Sequence, residues 1–297
     1  MYRYYDKDKY QVMNHYFDSI YEFIDYIDNT PTSRGFSNSE LHSFRTNRSE
    51  WYGTSSFEEA KHLATYGYNE DFDKFVDLKL QLEKYIKVSS TRAKQYNYYI
   101  GYAPDTKAYL EGNPLSMLNR INPARKQVDI YFNTSMSCAT STSQIRNRGV
   151  IALCVVEALE RLGFAVNLNI VTVSSSGSQV LYADFRLKGT NERLNIRKLY
   201  FPMCHNSWLR RLEFRLTEVT PDISSSWTWG YGTPGDEGLL RSIIDLKPND
   251  IVISQPREMG ISGENIMDDA NNMFEHINKS RNTQDFELPN LQKVKTR

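Results

Sequence analysis

Cysteine is scarce in this chain, with three residues in 297, at positions 138, 154 and 204. Three scattered thiols cannot build a disulfide framework, so stability must come from a packed core, and a reducing cytoplasm is the expected compartment. Net charge is missing too. The 36 basic side chains cancel the 36 acidic ones, so no overall field draws in nucleic acid or an anionic membrane. No apolar run is long enough to cross a bilayer, and no membrane partner is expected. The opening MYRYYDKDKYQ is neither a signal peptide nor a transit peptide. The phosphate-binding GxxxxGK[ST] loop and the GxGxxG dinucleotide fingerprint do not occur. Histidines 15, 42, 62, 205 and 276 show no metal-ligand spacing. Cys204 and His205 are adjacent, whereas a nucleophile and its base must meet through space. No acid/base pair or nucleophile dyad can be placed, which leaves an enzyme the least supported class.

What the chain does have is apolar and aromatic content: 40% hydrophobic residues and 20 tyrosines. Tyrosine buries area while keeping a polar tip, so it serves cores and contact surfaces alike. The organising stretch is Gln127 to Thr172. Val128 to Phe132 is a short β-branched and aromatic run that stops at an Asn/Thr/Ser cluster. Val150 to Leu162 is apolar enough for a helix buried on most sides, and Gly163 stands where a C-cap glycine belongs. Val166 to Val173 is a second apolar run. Strand, loop, buried helix, glycine stop and strand make a βαβ unit with parallel strands. The fold class is therefore α/β: a mostly parallel, Rossmann-like sheet flanked by helices, with an N-terminal mainly helical region.

Around that unit, helices are predicted near Phe17–Ile27 and 56–66, where Ser56 and Glu59 have capping-box spacing. Others are predicted at 71–87, 208–216, 237–246 and 264–277 by their apolar periodicity. Asn206 or Ser207 is the predicted cap of the fourth. Val180 to Leu187 alternates and is expected as an antiparallel edge strand, and Asp250 to Ser254 as a last strand. Residues 88–126 suggest short strands and turns that lead into the central sheet. The boundaries follow as an N-terminal helical region over 1–92, an α/β domain over 93–278 and a disordered tail over 279–297.

In an open parallel sheet, ligands gather outside the carboxyl ends of the strands. Three predicted loops leave such ends: Asn133 to Ser137, Gly232-Thr233-Pro234 and Ser254-Gln255-Pro256. Two further features compete for a role. Arg210, Arg211 and Arg215 share a helix with Trp208, next to His205, a pattern that suits phosphate contact and base stacking. The plainer alternative is intrahelical pairing with acids such as Glu218. Trp227, Trp229 and Tyr231 lie in one loop, where they are either interface anchors or cover for the sheet edge.

The three loops resemble those of a von Willebrand factor A-type domain. The first is Asn133-x-Ser135-x-Ser137, the second carries Thr233 in YGTPGD, and the third is Ser254-Gln255-Pro256. The resemblance covers roughly residues 125–278. It implies a divalent cation such as Mg²⁺ on the hydroxyls of Ser135, Ser137 and Thr233. The chain departs from the family at both acidic positions, which are the amides Asn133 and Gln255. A hard cation wants oxygen ligands and usually a carboxylate. A second resemblance is to an uncharacterised group of proteins often carried by bacteriophages. It rests on Trp51, Gly53, Thr54, Ser56, Phe57, Glu59 and Ala60, then on His205, Leu209, Arg210, Arg211 and Phe214. It implies a viral or mobile-element source and hence a host cytoplasm. Together these lead to an expected non-catalytic protein-interaction module that presents Asn133, Gln255, Trp227, Trp229 and Tyr231 to a protein partner. The rival expectation is a phage nucleic-acid-handling protein that uses His205 and the Arg210/Arg211/Arg215 helix.

Overall fold

The computed structural model describes residues 1–37, 41–47, 49–68, 72–83, 94–121, 126–228 and 230–280. The chain opens with a hairpin of strands β1 (Tyr2–Lys7) and β2 (Tyr10–Phe17). Helix α1 (Ile20–Asn29) follows, started by Ser19, whose hydroxyl accepts from the Glu22 amide. The short α2 (Ser49–Tyr52) leads to α3 (Phe57–Tyr66) and α4 (Phe72–Glu83). Strands β3 (Lys94–Tyr98), β4 (Ala103–Pro104) and β5 (Met117–Ile121) bracket α5 (Thr106–Leu110). The central unit is β6 (Gln127–Asn133), α6 (Thr142–Arg161) and β7 (Ala165–Ser176). Then come β8 (Gln179–Lys188), α7 (Ile196–Cys204), a π-helical stretch at Trp208–Glu213 and α8 (Phe214–Val219). A 3₁₀ turn (Ser225–Thr228), β9 (Thr233–Pro234), α9 (Glu237–Ile243), β10 (Ile251–Ile253) and α10 (Ile266–Ser280) complete the order.

The main sheet runs β1-β2-β8-β7-β6-β10, with β9 set against the far end of β7. β10, β6 and β7 are mutually parallel, and β2 is parallel to β8. The β1/β2, β7/β8 and β7/β9 pairings are antiparallel, so the α/β architecture rests on a mixed sheet. One face carries Val128, Ile130 and Phe132 of β6 together with Ile170 and Phe185 of β7 and β8. α6, α7, α10 and the N-terminal helices bury it in one continuous core. A smaller core on the other face gathers Val171, Val173, Val180 and Val252 under Leu240 and Ile243 of α9. Burying a residue such as Ile130 or Phe132 is worth about 1.5–3 kcal/mol, so the α6 face supplies most of the hydrophobic stabilisation.

Several expectations change in detail. α6 starts at Thr142, well before Val150, because Ser141 and Gln144 form a full capping box that the polar Ser143–Arg148 run conceals from an apolar count. β8 is antiparallel to β7 as expected, yet it is not an edge: β2 pairs along its outer side. The N-terminal region is not purely helical, since residues 2–17 form the two strands of that hairpin and extend the same sheet. Strands β3, β4 and β5 make their own small sheet instead of joining the central one. The expected tail from 281 onward, the end of the predicted 71–87 helix and Trp229 lie outside the described residues.

Candidate binding cleft at the carboxyl rim of the sheet

β7 is longer than its neighbour. β6 stops opposite Val171, and β9 takes the vacated edge at Ser174 and Ser175. This places the loop after β6, the Thr233 turn and the loop after β10 at one rim. Asn133 and Gln255 meet there on a single atom: their side-chain amides donate to the Gly235 carbonyl at 3.2 and 2.7 Å. Asn133 Oδ1 accepts from the Ser135 amide at 3.0 Å. The Ser135 hydroxyl accepts from the Val173 amide at 2.6 Å and lies 3.1 Å from Thr172 Oγ1. Ser137 and Thr233 are exposed. The rim therefore brings the predicted residues together but does not offer a cation a cage. Two amide donors occupy its centre, Ser135 is spent on the backbone, and no cluster of three acidic, His or Cys ligands exists among the described residues. The implied Mg²⁺ set does not fit.

The arginine helix is built inward. Ser207 makes no side-chain capping bond. Its hydroxyl donates instead to the Tyr52 carbonyl, and Asn206 donates to the Trp51 carbonyl. Arg210 is 3% exposed. Its guanidinium donates to the carbonyls of Trp51 (2.6 Å) and Thr140 (2.8 Å) and lies 4.3 Å from the Trp51 ring centroid. Burial pulls its pKa down to about 10, so it stays charged at neutral pH. Arg211 is fully buried and donates to the carbonyls of Ser43, Arg45 and Thr54. Arg215 donates to the carbonyls of Ile27 and Thr30 and pairs with Glu218 at 3.7 Å. These three cations hold the described residues of 27–32 and 43–54 in place. They do not form a basic face, and the predicted intrahelical pairing accounts for Arg215 alone. His205 is half-buried, stacked 5.0 Å from Phe201.

The 41–54 segment, the β6–α6 loop, the start of α8 and the 230–234 turn enclose a cleft with two lobes, of about 190 and 450 Å³. Both lobes are lined by Trp51, Cys138, Phe214, Gly230 and Tyr231. Ser135, Ser137 and Arg210 border the smaller lobe, and His42, Arg45 and Tyr52 the larger. Among the described residues, no acidic side chain lines either one. Phe214 stacks on Tyr231 at 4.3 Å, and Trp51 approaches Phe214 at 6.2 Å. Tyr231 is fixed from behind: its hydroxyl donates to Glu218 at 2.5 Å and accepts from the His42 amide at 2.8 Å. Its φ of 64° is left-handed, and Gly230 (100°) and Gly232 (82°) flank it with positive φ. Such backbone costs of order 1–3 kcal/mol for a bulky residue and persists where the surroundings impose it. Gly232 cannot change, because a Cβ would sit 2.6 Å from the Trp227 ring and 3.0 Å from the Ser175 carbonyl. Trp227, which the sequence left as either an interface anchor or cover for the sheet edge, is fully buried and donates to Gln179 at 3.1 Å. Its ring is the core beneath the turn and cannot reach a partner.

Two buried ionisable side chains, Glu213 and Arg148, bond to other groups near the rim. Glu213, 2% exposed, accepts from the Thr134 hydroxyl (2.5 Å) and the Trp208 indole (2.7 Å). Burial raises its pKa to about 7 against those hydrogen bonds. Arg148 is fully buried and donates from Nη1 to the carbonyls of Asn133 (2.8 Å) and Ser254 (3.0 Å), tying the ends of β6 and β10. Burial lowers its pKa to about 9. Sequence reasoning missed Tyr52, Phe214, His42 and Arg45 as cleft walls. For Tyr52 and Phe214 the signal was there in the two short motifs of 51–60 and 205–214, which are in contact: a Cβ on Gly53 would sit 2.0 Å from Asn206 Oδ1.

These features define an α/β sheet protein with a closed polar rim and an aromatic cleft beside it. Over residues 5–281 the chain matches a family described as a domain of unknown function (DUF7192), and it belongs to that family. No curated protein and no solved structure matches it.

Proposed function

We propose that the chain is a non-catalytic interaction module of von Willebrand A-like build that holds a segment of a protein partner in the aromatic cleft beside the rim. Strand order supports the kinship. β6 lies between β7 and the later parallel strand β10, and β8 runs antiparallel outside β7. The contact between the 51–60 and 205–214 motifs supports membership of the bacteriophage-carried group that those motifs resemble. The carrying observation is the cleft itself: half-exposed Trp51 and Phe214 on a scaffold of buried arginines, with strained backbone holding Tyr231. Aromatic anchors in preformed pockets dominate protein recognition. The nucleic-acid reading loses its basis, because Arg210, Arg211 and Arg215 spend their donors on backbone carbonyls. The test is a random peptide library displayed and panned on the full chain, with counter-selection on Phe214→Ala. Peptides that bind the wild type and lose at least about tenfold on the variant are expected. Panning that enriches nothing able to tell the two apart overturns the reading.

A further inference from the structure

Among the described residues, three guanidinium charges stand around the aromatic cleft with no carboxylate paired to them. Arg45 is half-buried and lines the larger lobe. Among the described residues, neither a hydrogen bond nor an ion pair engages its guanidinium. Arg210 borders the smaller lobe and lies 4.3 Å from the Trp51 ring centroid. Arg211 lies 4.3 Å from the ring centroid of Tyr52, a wall of the larger lobe. Arg210 and Arg211 donate to backbone carbonyls. A carbonyl satisfies an N–H donor but carries no net charge, so their field persists through protein of low dielectric. Glu218, bonded to Tyr231, is already paired with Arg215 at 3.7 Å.

We propose that the partner segment held in this cleft is acidic, with an aspartate or glutamate carboxylate on Arg45 and an apolar neighbour on Trp51 and Phe214. This rests on the cleft reading and names the chemistry that the cleft selects. Arg45 alone of the three keeps its fork free, and a guanidinium fork matches one carboxylate bidentately. A doubly charged phosphate would draw on more donors, and those of Arg210 and Arg211 are committed to the backbone. A basic side chain would instead meet three like charges. The arginines beside Trp51 and Tyr52 also use up the cation–π attraction that these rings could offer a partner cation. Exclusion of basic segments therefore comes from charge, as it does at other specific interfaces.

The position of Arg45 suits this role. Arg211 donates to its carbonyl at 2.6 Å and to the carbonyls of Ser43 and Thr54 at 2.8 Å. The backbone beneath Arg45 is therefore fixed while its guanidinium stays available, which limits the ordering that binding must still impose. The larger lobe, of about 450 Å³, takes a few side chains of an extended segment rather than a folded surface.

The experiment uses the peptides that the full chain selects from a random display library. Each is resynthesised with blocked ends, beside a version in which every aspartate and glutamate becomes the amide. Both are titrated against the wild type, Arg45→Gln and Phe214→Ala, whose melting temperatures report folding separately. Carboxylate-bearing peptides should dominate the selection, and their amide versions should bind roughly tenfold more weakly. Arg45→Gln should abolish that acid-over-amide preference. The proposal falls if the selected peptides are neutral or basic, if a folded Arg45→Gln keeps the preference, or if no peptide is selected. Peptides that need Phe214 but no carboxylate overturn it and leave the cleft reading standing. Peptides that need a carboxylate and are indifferent to Phe214→Ala overturn both. Binding of single-stranded oligothymidine in place of any acidic peptide, lost in Arg45→Gln, assigns the cleft to nucleic acid and also overturns it.

Discussion

Glu213 shows how much one buried carboxyl can decide. Its ordinary pKa of 4.5 rises to about 7 in the fold, so the folded state keeps a proton that the unfolded chain releases first. Stability from this group is present below about 4.5 and is lost as pH rises through about 7. Glu213→Gln keeps an acceptor for Thr134 or Trp208 and cannot ionise. Urea unfolding at about pH 5 and about pH 8 should show the wild type losing roughly 3 kcal/mol more than the variant across that span. Equal losses would mean that the carboxyl does not titrate in the fold. Glu237 has the opposite sign. Burial would raise its pKa, but hydrogen bonds from His276, Ser254 and Arg241 outweigh that and hold it at about 2. Its contribution is present above about 4.5 and disappears as pH falls toward about 2. Glu237→Gln should cost about 2 kcal/mol at neutral pH and little in strong acid, as read from denaturation midpoints.

At the scale of elements, the cleft wall depends on contacts between α2 and the π-helical turn. Gly53 has φ +85°, and its missing Cβ leaves room for Asn206. Gly53→Ala should loosen the 41–54 segment by more than about 2 kcal/mol, visible as new proteolytic cleavage there. Arg211→Ala should do the same by a different route, leaving the buried carbonyls of Ser43 and Thr54 and the part-buried one of Arg45 without their donor, at about 3 kcal/mol or more. A cut confined to segment 41–54, with the sheet intact, is the expected pattern for both. The same contacts explain what could be read ahead of the structure. The βαβ unit was legible because Val128–Phe132, Val150–Leu162 and Val166–Val173 are mostly apolar runs of element length. The start of α6 was not, since polar residues such as Arg148 are buried there by tertiary bonds to Asn133 and Ser254. Nor were the roles of Arg210 and Trp227, because a sequence shows a charge or an indole without showing what surrounds it. The hairpin of β1 and β2 was hidden by its tyrosines and charges, which alternate weakly.

For the whole molecule, the question is whether the rim is a disabled metal site or a closed one. The von Willebrand A-type resemblance would place a cation beside Ser135, Ser137 and Thr233, and the sheet does bring those loops to one edge. Yet the rim interior is occupied by Asn133 and Gln255 donating to Gly235, with Ser135 bonded to the backbone of β7. A cation there would face two N–H dipoles at their positive ends and would displace hydrogen bonds without gaining a carboxylate, which hard-cation sites normally supply. Binding to the folded state alone must raise the melting temperature. Millimolar Mg²⁺, Mn²⁺ or Ca²⁺ should therefore leave the wild-type transition unmoved within about 1 °C. The double variant Asn133→Asp, Gln255→Asp tests the converse. It turns both donors into acceptors around the same point, so it should be less stable than the wild type without metal. It should recover on adding Mg²⁺ in proportion to the metal bound. A metal-dependent rise in the wild type would show that the amides move aside, and the closed rim would have to be abandoned.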